Sequence, residues 1–148
     1  MYSNGIQSYR KTNVVTADPV RLVTMCYDGA IDSLKLAKQK IDEKDYEGKA
    51  KAIIKTQDII DELLCSLDFE KGGVIAKNLS SIYNYMTRRI MHGDVHGDME
   101  AFDEVIGMLT ELLSAWQEVA SKPDIKIQPA EEHFYEERSE MAAGYVIA

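Results

Sequence analysis

The chain has 148 residues, two cysteines and a formal net charge of −8, a size that supports one domain whose core hides about 70% of the unfolded surface. No run approaches the roughly 18 apolar residues of a membrane span, and the opening Met-Tyr-Ser-Asn-Gly lacks the charged start and apolar stretch of a secretory signal. The acidic balance disfavours polyanionic partners, nucleic acid and anionic lipid alike, and two thiols inside helical patterns read as reduced, buried and cytosolic rather than as a disulfide framework.

Residues 1–17 carry Arg10 and Lys11 and no acid, and Asn4, Gly5 and Asn13 interrupt any helical pattern. They read as an N-terminal arm. Its apolar residues Ile6, Tyr9, Val14 and Val15 suggest that it lies against the body and reduces the exposed apolar area.

The first helix is predicted from about Asp18 to Ile41. Asp18 is placed to accept from an orphan backbone amide, and Pro19 suits the first helical position, where no donor is needed. Leu22, Cys26, Ala30, Leu34, Ala37 and Ile41 form its stripe. The second helix starts near Asp45, with Tyr46, Ala50, Ile53, Gln57, Ile60, Leu64 and Leu67 recurring in alternating steps of four and three, a heptad seam. Gln57 interrupts that seam, where a polar group fixes register through a hydrogen bond.

The third helix is predicted over roughly Gly73 to Met91, with Ile75, Leu79, Ile82, Met86 and Ile90 inward. The fourth covers roughly Asp98 to Ala120, with Phe102, Val105, Leu109, Leu112, Trp116 and Val119. Short loops near Asp42–Asp45, Asp68–Gly72 and His92–Gly97 imply an all-α, antiparallel up-down four-helix bundle over 18–120. No period-two β-branched run predicts a sheet. Residues 121–148 open with Ser121-Lys122-Pro123 and read as an acidic tail. A short helix over Ala130–Ala143 would show Phe134, Tyr135 and Met141, and the tail ends in the apolar Tyr145-Val146-Ile147-Ala148.

No P-loop, dinucleotide fingerprint or nucleophile elbow is present. His92-x-x-x-His96 with Asp94 and Asp98 has the residue types of a metal site. Gly93 and Gly97, however, place the pair on a flexible turn, and the reading is a solvated loop with no metal. Tyr83 and Tyr85 with Arg88 and Arg89 read as one inward tyrosine and a solvated arginine pair.

The run Asp18-Pro19-Val20-Arg21-Leu22-Val23-Thr24-Met25-Cys26-Tyr27-Asp28-Gly29-Ala30 resembles the signature first helix of the flagellin-specific export chaperones, the FliS family. Other segments resemble the family in the same order. They are Gln57-Asp58-Ile59-Ile60-Asp61-Glu62-Leu63 with Ser66-Leu67-Asp68; Gly72-Gly73-x-Ile75-Ala76-x-Asn78-Leu79 with Ile82-Tyr83-x-Tyr85-Met86; and Leu112-Leu113-x-Ala115-Trp116. Tyr9-Arg10 fits the short element before the first helix. The resemblance covers residues 1 to about 120. His92-Gly93-Asp94 replaces the small Ala-Asn-like turn associated with the family, and the tail has no counterpart.

The resemblance implies a cytosolic, non-enzymatic chaperone. It would hold the disordered C-terminal segment of flagellin, prevent premature polymerisation and deliver the subunit to the flagellar export gate. A disordered client loses chain entropy on binding and needs a large apolar surface in return. Apolar residues beyond the three or so per heptad that a bundle core uses supply groove candidates: Tyr9, Leu22, Val23, Met25, Tyr27, Ile31, Ile54, Leu63, Tyr83, Ile106, Met108 and Leu113. The alternative reading is a homodimeric structural or adaptor bundle that uses the same surface for self-association. Trp116 is assigned to the core.

Overall fold

The computed structural model describes residues 19–121, which form four helices: α1 (Pro19–Asp42), α2 (Tyr46–Cys65), α3 (Phe69–His96) and α4 (Met99–Ser121). Among the described residues there is no strand. α1 packs against α2 and α4, and α3 closes the square against the same two helices. This is the up-down-up-down bundle that short connections between helices of similar length impose. The arm, the Asp18 cap and the tail from 122 onward lie outside the described residues.

Side chains of the turn residues end and restart the helices. Asp45 accepts from the Gly48 amide at 2.9 Å, and Asp68 accepts from the Glu70 and Lys71 amides at 3.0 and 2.9 Å, satisfying donors left unpaired at each helix start. Asp68 therefore begins α3 several residues before the expected Gly73. Gly73 interrupts the helix instead, with φ 51° and ψ −124°, a conformation that a Cβ makes costly. The turn Phe69–Gly72 is thus set off from the rest of α3.

The C-terminal end of α3 also departs from expectation. The expected loop at His92–Gly97 is helical through His96, and the chain reverses at Gly97, with φ 65°. Gly93 does not break this helix. It is buried where α3 and α4 converge, and a Cβ there would come within 2.9 Å of the Asp98 carbonyl and 3.2 Å of Ala101 Cβ. Close approach, not flexibility, explains this glycine.

The core is built from Val23, Tyr27, Ala30, Leu34 and Ala37 of α1, Ile53, Ile60 and Leu63 of α2, Ala76, Leu79, Tyr83, Met86 and Ile90 of α3, and Phe102, Val105, Leu109 and Trp116 of α4. Most of the expected α1 stripe is buried, including Leu22, Ala30, Leu34 and Ala37, but the inward face also takes in Val23 and Tyr27. A run of steps of four, Leu22-Cys26-Ala30-Leu34, drifts around a helix of 3.6 residues per turn. Mixed steps of three and four, Val23-Tyr27-Ala30-Leu34-Ala37, stay on the core, and Cys26 falls to the flank half-buried. The same offset puts Tyr46 and Ala50 of α2 and Ile75 of α3 outside, and brings in Ala52, Thr56, Ala76 and Tyr83. Cys65, expected to be buried, is exposed.

At the centre of the core the Tyr27 and Tyr83 hydroxyls lie 2.7 Å apart, joining α1 to α3 across the bundle diagonal. Trp116 of α4 hydrogen-bonds Tyr27, and since an indole can only donate, its N–H points at the tyrosine oxygen. Burial holds both tyrosine hydroxyls far above their ordinary titration range, so this polar node is neutral.

Candidate functional site

The structure separates the groove candidates into two sets. Val23, Tyr27 and Tyr83 have no exposed surface, and Leu63, Ile31 and Leu22 are buried. In this structure those six are inside residues and present no side chain to a partner. Val23, Tyr27, Ile31, Leu63 and Tyr83 belong to the core cluster, and Leu22 is buried beside it. Tyr9 lies outside the described residues. Ile54 is 48% exposed, and Met25, Ile106, Met108 and Leu113 are half-buried.

These five do not share one face. Asp103 reaches Lys38 of α1, while Glu104 bonds Tyr85 and Arg89 of α3. Ile106 and Leu113, spaced along the Asp103 side of α4, therefore flank α1. Met108, one turn beyond Glu104, flanks α3. Met25 lies on the α2 side of α1, the side on which Gly29 approaches Ile59. Ile54 stands on the outer surface of α2.

Several large exposed apolar residues lie on α3, where the sequence reading placed only Tyr83. Phe69 is 56%, Val74 73%, Met91 57% and Val95 74% exposed. Their signal was present in the sequence, as apolar residues off the inward stripe, but an outward position is defined only once the inward one is known.

The seam between α2 and α3 is the least closely packed of the four. Two polar bridges span it. Lys49 pairs with Asp94 at 2.7 Å, and Gln57 Nε2 donates to the Thr87 carbonyl at 3.4 Å. Gln57 thus does join two helices, as expected of a polar seam residue. Its Oε1, however, is buried with no hydrogen-bond partner among the described residues. The register set by the two bridges brings Ile54 and Met91 level on opposite lips of the seam. Exposed apolar residues thus border the seam on both helices, and the unpaired Gln57 acceptor is buried within it. A buried acceptor left unsatisfied is costly, so Gln57→Leu is expected to raise stability by about 1 kcal/mol, measured by urea unfolding at neutral pH.

The His92 and His96 rings lie 4.5 Å apart on the last turns of α3, and His92 Nε2 is 3.5 Å from Asp98 Oδ2. The pair is helical rather than on a loop, which corrects the expected placement. Among the described residues no group of three or more His, Cys, Asp or Glu is placed to hold a metal ion. Arg89 is not simply solvated either, because it forms an ion pair with Glu104 at 2.7 Å. Among the described residues no helix is long and apolar enough to cross a membrane.

Residues 2–123 match the family described as flagellar protein FliS. The chain belongs to the FliS family. It is 38% identical over 128 residues to the flagellar secretion chaperone FliS of Salmonella typhimurium, covering 82% of this chain and 95% of that one. It is 32% identical over 115 residues to the flagellar secretion chaperone FliS of Bacillus subtilis, covering 78% and 85%. With the protein of the same name from Escherichia coli the identity is 30% over 135 residues, covering 87% and 99%. These relatives are chaperones by name, and family and fold agree with the resemblance read from Asp18–Ala30 and the later segments.

Proposed function

We propose that this protein is a cytosolic export chaperone that binds the disordered C-terminal segment of flagellin, prevents its premature polymerisation and assists its delivery to the flagellar export apparatus. The observation that carries this reading is the apolar surface the bundle leaves uncovered on α2 and α3, in a chain whose relatives are named flagellar secretion chaperones. A client segment that folds as it binds needs such a surface to offset its ordering entropy. Helical client segments suit grooves between bundle helices. The α2–α3 seam offers exposed apolar residues, Ile54 and Met91, along its two borders. No step of this role requires a catalytic group or a cofactor.

The expected result is a 1:1 complex with flagellin that depends on flagellin's C-terminal segment and forms with a strongly negative heat-capacity change, the mark of apolar burial with coupled folding. Titration calorimetry at several temperatures, with intact and C-terminally truncated flagellin, measures both. Equal affinity for the truncated client would overturn the reading. Self-association with no flagellin binding would favour the homodimeric adaptor.

A further inference from the structure

The tail is acidic and apolar at its end, and it lies beyond the family match, which stops at residue 123. The register of α3 against α4 shows where it leaves the body. Gly93 lies against Ala101 and Phe102, and Arg89 bonds Glu104. Each step back along α3 is thus a step forward along α4, and the same register brings Ser121 level with Val74. Phe69, Val74 and Ile75 are all exposed there, around the break at Gly73. Lys71 and Lys77 flank Val74, are exposed, and make no ion pair with the described residues.

The sequence of residues 130–148 complements that patch. Glu131, Glu132, Glu136, Glu137 and Glu140 offer charge to the two lysines, and Phe134, Met141, Tyr145, Val146 and Ile147 offer apolar contact. The linker 122–129 spans up to about 27 Å when extended, against the 8–10 Å or so between packed helix axes. Reach is ample, and a tether this short gives an effective concentration on the order of millimolar.

We propose that residues 130–148 dock on the start of α3 of the same molecule and cover Phe69, Val74 and Ile75. This goes beyond the client reading and does not depend on it. The test is hydrogen exchange on the full-length protein without flagellin. In the variant Tyr145→Ser/Val146→Ser/Ile147→Ser, amides of residues 69–77 are expected to exchange about tenfold faster, as for loss of a tethered contact of sub-millimolar affinity, while those inside α1 and α2 are unchanged. Val74→Glu is expected to have the reciprocal effect, with amides of residues 140–147 exchanging about tenfold faster. Unchanged exchange in both variants would overturn the proposal. Protection that disappears on dilution would overturn it in favour of a second copy. Protection that is lost on Ile6→Ser/Tyr9→Ser but not on the tail substitutions would overturn it in favour of the N-terminal arm.

Discussion

Trp116→Ala is expected to destabilise the free protein by about 3–5 kcal/mol, the range for removing a large buried aromatic and leaving a cavity. Trp116 is buried among residues of the core, so most of the loss is packing. A second part is polar, because the truncation removes the donor that Tyr27 receives. Trp116→Phe separates the two, keeping most of the volume and deleting the N–H, and is expected to cost about 1–3 kcal/mol for the hydroxyl left with one partner fewer. Urea unfolding followed by far-UV circular dichroism measures both. An alanine variant with an unchanged midpoint and lost flagellin binding would place Trp116 on the client surface.

Raising the pH above about 10 is expected to destabilise the bundle steeply. Tyr27 and Tyr83 keep their protons in the folded state well above the ordinary tyrosine range, chiefly through burial. The unfolded chain releases them near pH 10. Above that pH the unfolded state binds fewer protons than the native one, so stability falls with rising pH; below it the two states bind alike and the tyrosines add no slope. Two groups give about 2.7 kcal/mol per pH unit. In Tyr27→Phe/Tyr83→Phe that contribution disappears, and the difference between the two pH curves isolates the pair from every other titrating group. Parallel curves would mean that the node admits water or ionises while folded.

The architecture was legible in the sequence because it rests on spacing. The α4 residues Phe102, Val105, Leu109 and Trp116 recur so regularly that stripe and structure coincide. In α1 the apolar residues are dense enough to support two stripes, 22-26-30-34 and 23-27-30-34, and the choice between them depends on the axis of the bundle, which no single helix defines. The candidate surface inherits that ambiguity. Val23, Tyr27 and Tyr83 are surplus residues relative to one stripe and core relative to the other. Gly93 shows the same limit: a glycine before a turn reads as a breaker until the neighbouring helix is seen to need its missing side chain. The exposed residues of α3 became recognisable only by subtraction, once Tyr83 was inside.

The position of the chain's single tryptophan has an optical consequence. Trp116 sits in the interior beside Tyr27, while Ile54 and Met91 stand on the outer lips of the α2–α3 seam. Intrinsic fluorescence excited at the indole band therefore reports the integrity of the core and is blind to the outer surface. A client helix that settles on the seam will leave the emission maximum in place, whereas a client that enters by prising the helices apart will shift it to the red as water reaches the indole. Emission recorded during a flagellin titration thus distinguishes docking on a closed bundle from opening of the bundle.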